Sequence, residues 1–193
     1  MSPARSVRRA GSVFGAWLIL CALFAFGCRT LERKPDKSRD LALQEEAGVI
    51  ETAKGTIVIK FYPGDAPKTV ENFKKLAREK FYDGLTFWRV EKDPVPFVIQ
   101  GGDPNGDGTG GPGYGLPPEF NARPHLEGTV AMARGADVAS AGSQFYICLA
   151  PQPALDGKYT VFGQTVEGFD VIHQIEKGDV MKSVRIESRA RAL

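Results

Sequence analysis

The chain has 193 residues, 42% hydrophobic and 25% charged, a composition that supports one folded domain plus appendages and excludes a fibrous or disordered polymer. Its formal net charge of +2 sits at one end: Arg5, Arg8 and Arg9 stand in residues 1–27 without an acid, and removing these three from the 25 basic residues leaves 22 against 23 acidic. A near-neutral body without a basic run excludes nucleic acid as the expected partner.

The three arginines precede an apolar run, VFGAWLILCALFAFG, from Val13 to Gly27. Its length suits the hydrophobic segment of a secretory signal and falls short of the about 20 residues of a membrane span. It ends at Gly27-Cys28 and is followed at once by the polar RTLERKPDKSRD. Small residues before a cysteine resemble a bacterial lipobox, after which the cysteine becomes the lipidated first residue. Ala25 and Phe26 depart from the leucine and small residue that such a motif prefers. The reading is a signal peptide over 1–27 and lipid attachment at Cys28, with an uncleaved anchor or plain secretion as alternatives. All three place the body outside the cytoplasm, in the bacterial periplasm or envelope, and the preferred one ties it to the membrane through lipid alone.

Residues 28–47, mixed in charge and poor in aromatics, read as the lipid-attachment cysteine and a flexible tether, and the domain is expected over 48–193. Cys21 belongs to the signal, so Cys148 is the body's one thiol, and its FYI and LA flanks mark it as a buried apolar residue.

In TIVIKFY, Ile57, Ile59 and Phe61 alternate with Val58 and Lys60, the period of a half-buried strand. Asp65-Ala66-Pro67 starts a helix whose apolar face is Val70, Phe73, Leu76, Ala77 and Phe81, and Asp83-Gly84 stops it. Short strands follow at LTFWRV, PFVIQG, GTVAMA, SQFYICL, YTVFGQTV and SVRIES, with a second short helix at GFDVIHQIEKG. Many short strands with one helix near each end predict a mostly β fold, a closed antiparallel barrel rather than a βαβ sheet.

Residues 100–115, QGGDPNGDGTGGPGYG, hold glycine at eight of sixteen positions and contain two apparent motifs. A phosphate loop at Gly106–Gly111 would need a helix directly after it, but Pro112, Pro117 and Pro118 follow. A calcium loop starting at Asp103 would need a glutamate where Tyr114 stands. What remains is a tight backbone excursion that glycine permits.

Around it, Val98 and Gln100 share one face of a strand and Phe97 and Ile99 the other; Gln144 and Tyr146 likewise oppose Phe145 and Ile147. No Ser-His-acid triad, metal cluster or cofactor motif has visible spacing, so neither metal nor cofactor is expected. His125 and His173 read as structural or surface residues, and Glu119 as a loop-fixing acceptor. Arg89 with two glutamines and aromatics favours recognition of a peptide, without by itself establishing an enzyme.

At these residues the sequence resembles the cyclophilins, the peptidyl-prolyl cis–trans isomerases. FWRV, PFVIQGGD, GTGGPGY, GTVAMAR, AGSQFYICL, LDGKYTVFGQTVEG and SVRI occur in the family's order over about residues 48–190. The resemblance implies a closed eight-stranded antiparallel barrel capped by two α-helices. It also implies rotation of X-Pro bonds, proline-containing segments as partners and no cofactor; joined to the signal reading, the expectation is a monomer that aids the folding of exported proteins. Residue by residue, it implies a catalytic set of Arg89 at the prolyl nitrogen, Gln100 supporting it, and Phe97 under the proline ring. Val98, Ala133, Arg134, Gln144, Tyr146, Leu155 and Tyr159 would bind substrate. The VEKDPVP segment is longer than in short family members, which leaves the Arg89-to-Phe97 geometry open. A non-catalytic, chaperone-like module for proline-containing peptides is the alternative reading.

Overall fold

The computed structural model describes residues 44–190, with side chains from 45 to 189. The signal segment, Cys28 and the first part of the tether lie outside the described residues. Eight strands run through the domain: β1 (Gln44–Glu51), β2 (Thr56–Phe61), β3 (Arg89–Glu91), β4 (Val98–Gly101), β5 (Thr129–Met132), β6 (Phe145–Cys148), β7 (Val161–Glu167) and β8 (Ser183–Ala190). They pair antiparallel in the order β3-β4-β6-β5-β7-β2-β1-β8. Two helices, α1 (Pro67–Arg78) and α2 (Phe169–Gln174), and a 3-10 turn at Pro153–Leu155 complete the described elements.

The sheet is not closed into a barrel, which corrects the expectation from the sequence. Its end strands β3 and β8 share no ladder. The chain ahead of each meets only at a Thr86–Val180 bridge and its flanking backbone bonds, such as Phe87 N–H to the Asp179 carbonyl. β3 is three residues long, too short to extend that contact into an eighth pairing, so LTFWRV is a strand only at its end.

Alternation assigns the two faces of the sheet. Ile57, Ile59 and Phe61 enter the main core as expected, with Ile99, Val130, Met132, Phe145, Ile147 and Phe162. Their neighbours Val98, Ala131, Tyr146, Cys148 and Val161 form a second cluster on the other face. Cys148 is fully buried there, and burial pushes its thiol up to about 12, consistent with apolar packing rather than reactivity.

Helix α1 presents Val70, Phe73, Leu76 and Ala77 to the core. Phe73 is the hub: its ring lies 5.0 Å from that of Tyr82, 5.4 Å from Phe162, 5.5 Å from Phe145 and 5.7 Å from Phe61. Ala66 at the N-cap offers no side-chain acceptor, and the role passes to Glu119. Its carboxylate accepts from the N–H groups of Lys68 (3.0 Å) and Thr69 (2.8 Å) and from the Thr69 hydroxyl (2.8 Å). At the other end Phe81 N–H reaches the Leu76 carbonyl and Lys80 N–H that of Ala77, with Lys80 at φ 59°. This is a Schellman ending with lysine in the left-handed position, and it stops the helix at Arg78, ahead of Asp83-Gly84.

Helix α2 starts on the left-handed Gly168 and ends at Gln174, short of Gly178. Strand β1 begins at Gln44 and so takes in the last residues read as tether. Its polar start hid it: Glu45 pairs with Lys60, and Glu46 with the buried Lys74 and with Arg78.

Glu119→Ala removes three hydrogen bonds from the start of α1, so the variant should lose about 1–2 kcal/mol of stability, read as a lower denaturant midpoint at unchanged slope.

Candidate active site

Antiparallel pairing of β3 with β4 sets Arg89 directly opposite Gln100, Val90 opposite Ile99 and Glu91 opposite Val98. Phe97 N–H donates to the Glu91 carbonyl at 2.9 Å, so residues 92–96 bulge out as a loop and leave the ladder undisturbed. The long VEKDPVP segment therefore keeps Arg89 on the ladder, with its guanidinium carbon 5.8 Å from the centre of the Phe97 ring. Phe97 joins Val98 in the second cluster, not Ile99 in the core, because it precedes β4 and escapes the strand's alternation.

From Arg89 a chain of hydrogen bonds runs inward. Its Nη1 donates to Gln100 Oε1 at 3.2 Å, Gln100 Nε2 donates to Gln144 Oε1 at 2.9 Å, and Gln144 Nε2 donates to the Gly108 (3.0 Å) and Gly110 (2.9 Å) carbonyls. The orientation of each amide follows from its neighbours, since each offers one donor end and one acceptor end. On its outer side Arg89 is gripped by Glu91, whose Oε1 lies 2.7 Å from both Nε and Nη2. Glu91 is a partner the sequence reading did not identify; it sits two residues from Arg89 on the same strand face, the one signal that was available.

The glycine-rich stretch is held from within. Asp103, 1% exposed, accepts from the N–H groups of Asn105 (2.9 Å), Asp107 (3.1 Å) and Gly108. Its oxygens thus serve the loop's own backbone. A Cβ on Gly110 would lie 2.1 Å from Asp103 Oδ1, and Gly108 sits at φ +95° against the Trp88 ring, so both positions require glycine.

Arg89, Gln100 and the apolar Phe97, Val98 and Leu155 line a cavity of about 130 Å³, closed by Ala133, Arg134, Tyr146 and Tyr159. Nine of the ten residues singled out in the domain by sequence thus meet at one place. The tenth, Gln144, faces a larger cavity of about 740 Å³ along the glycine-rich loop, which shares Gln100, Ala133 and Arg134 with the smaller one. Cys28 lies outside the described residues. Among the described residues no group of three His, Cys, Asp or Glu side chains is arranged to hold a metal.

Beneath the smaller cavity is an arrangement that sequence spacing did not disclose. The buried His125 ring places Nδ1 2.9 Å from Asp156 Oδ1 and Nε2 3.0 Å from the Tyr146 hydroxyl. The backbone N–H of His125, then its ring, hold the Asp156 carboxyl below its ordinary value, so it is an acceptor at neutral pH. In the neutral imidazole Nδ1 therefore carries the proton and Nε2 accepts from Tyr146. Burial pushes the Tyr146 hydroxyl far above its ordinary value and keeps it a donor. The tyrosine hydroxyl is thereby turned to His125. Sequence distance hid the trio, since 21 residues separate His125 from Tyr146 and 31 separate it from Asp156.

Comparison with known proteins gives a consistent result. The cyclophilin type peptidyl-prolyl cis-trans isomerase/CLD family model matches residues 48–191. A peptidyl-prolyl cis-trans isomerase of Synechococcus elongatus is 52% identical over 145 residues, covering 74% of this chain and 97% of the relative. Peptidyl-prolyl cis-trans isomerase B of Bacillus subtilis is 50% identical over 134 residues, covering 68% and 90%. Among solved structures, a Cryptosporidium parvum cyclophilin type isomerase in the presence of the dipeptide Ala-Pro matches with a TM-score of 0.69 and 28% identity, covering 74% of this chain and 99% of that one.

Nitrogen-15 NMR of the folded protein should show the neutral His125 ring protonated at Nδ1 and accepting at Nε2. A ring protonated at Nε2 in the neutral form would contradict this arrangement.

Proposed function

The chain belongs to the cyclophilin-type peptidyl-prolyl cis–trans isomerases, and we propose that it turns X-Pro bonds over in the cavity of about 130 Å³ beside Arg89. The barrier to that rotation, about 18–20 kcal/mol, comes from amide resonance, which delocalises the nitrogen lone pair. A donor aimed at the prolyl nitrogen favours the twisted state, where the lone pair is localised and can accept. Arg89 suits this task because its guanidinium stays charged at any working pH and retains N–H groups beyond those given to Gln100 and Glu91. Catalysis then rests on differential binding of the twisted state, with no covalent intermediate and no proton transfer.

In this reading the proline ring enters between Phe97, Val98, Leu155, Tyr146 and Tyr159, and the ring faces and edges there are apolar because His125 holds the tyrosine hydroxyl. Gln100, Ala133, Arg134 and Gln144 hold the peptide backbone alongside. The observation that carries the proposal is the convergence of Arg89 and these apolar groups on one cavity at the rim of the sheet. The match to a cyclophilin solved in the presence of Ala-Pro supports a proline-containing ligand for this chain as well.

The sequence of residues 1–28 supports a further reading: a folding catalyst for exported or envelope proteins, held at a membrane through lipid on Cys28. Among the described residues no helix is long and apolar enough to cross a membrane.

Arg89→Ala should lower kcat/KM for an X-Pro peptide by about 10²-fold or more while leaving the fold intact. Unchanged catalysis would remove Arg89 from the mechanism, and peptide binding without turnover in the unaltered protein would favour a chaperone-like module. The mass of the mature N-terminus from cells should correspond to a diacylglyceryl-modified Cys28, and an unmodified start at any other residue would exclude the lipid anchor.

A further inference from the structure

The charges along the groove are unevenly met. Arg89 and Arg134 are the charged side chains lining the smaller cavity, and Arg134 is the one lining the larger. Glu91 answers Arg89 at 2.7 Å. Arg134 is held differently. Its Nε and Nη2 donate to the Lys158 carbonyl at 3.4 and 3.2 Å, its Nη1 to the Gly135 carbonyl at 3.0 Å, and its guanidinium carbon lies 4.9 Å from the centre of the Tyr159 ring. These contacts fix its direction without neutralising its charge, and they leave N–H groups to spare. Among the described residues Arg134 has no carboxylate partner. The carboxylates of the flanking loops are engaged elsewhere: Asp107 with the N–H and hydroxyl of Thr109, Asp137 with the N–H of Ala139, and Asp156 with His125.

We infer that Arg134 selects substrates carrying an acidic side chain close to the isomerised proline. The inference rests on the isomerase reading of the same groove and specifies its substrate class. Arg134 borders both cavities, so a peptide whose proline occupies the smaller one and whose chain crosses the larger must pass it. At about 3.3 Å of rise per extended residue, the side chains within reach belong to the first three positions on that arm. A carboxylate there meets a guanidinium already oriented by its backbone contacts, so little additional ordering opposes the pairing. A lysine at the same position meets repulsion.

The test is a position scan on the full chain. Proline peptides carry one Glu, Gln or Lys at each of the three positions before and the three after the proline, and kcat/KM is measured for the unaltered protein, Arg134→Gln and Arg134→Glu. On one arm of the peptide the Glu-to-Lys ratio should be about fivefold in low salt, as for a partly exposed charge pair. It should fall towards unity near 1 M salt, where the screening length is about 3 Å. Arg134→Gln should flatten the ratio and Arg134→Glu should invert it. A ratio near unity at every position in the unaltered protein, or one that survives both substitutions, overturns the inference. Turnover of no peptide at all would overturn the isomerase reading instead, and the same scan read as Kd would then decide the charge preference. Should Arg134→Glu fail to fold, the salt dependence of the unaltered protein and the Arg134→Gln ratio still decide it.

Discussion

The side-chain amide of Gln144 is the constraint on which the groove depends. Its nitrogen is committed to the Gly108 and Gly110 carbonyls, which leaves its oxygen for Gln100. Gln100, 6% exposed, must then turn its own oxygen outward, where Arg89 takes it up. Reversing one amide would set donor against donor along the chain and leave buried polar groups unmet, at about 1–3 kcal/mol each. The direction of Arg89 is thus set from the glycine-rich loop, through side chains just ahead of β6 and on β4 that cannot rotate independently.

That loop owes its shape to Asp103. Both motifs visible in residues 100–115 draw on the segment that this carboxylate organises. Its buried oxygens gather the N–H groups of Asn105, Asp107 and Gly108, the groups that a phosphate or the loop's calcium ligands would otherwise contend for. The glycines leave no Cβ between Asp103 and the chain folding over it, which lets the Gly108 and Gly110 carbonyls come within reach of Gln144. The loop is a wall whose inner surface is hydrogen-bonded to the site.

Much of this was legible because a strand's period of two is a strong signal. The alternation of Tyr146 against Phe145 and Ile147 holds in β6, as does that of Val98 and Gln100 against Ile99 in β4. Period fails where pairing stops, and so Phe97, one residue outside β4, lies with Val98. Barrel closure was not legible, since it depends on whether two distant end strands meet, and here β3 and β8 do not. Polar residues meeting over long sequence distances were also hidden. Glu119 read as a loop acceptor turned out to cap α1 about fifty positions away, and His125 joins Tyr146 to Asp156 from a segment with no periodicity of its own.

An open sheet has a consequence for Arg89. It stands on an end strand with 39% of its side chain exposed, and Glu91 beside it is 47% exposed. A charge pair so placed is screened by water and is worth about 0–1 kcal/mol. The bond to Gln100 belongs to a part-buried chain whose disruption strands further groups inside. The two grips on the guanidinium are therefore unequal. The outer one can yield to an arriving peptide at little cost, while the inner one keeps the side chain aimed. An arginine buried on a central strand would be aimed equally well, but its carboxylate partner would hold it too tightly to be exchanged.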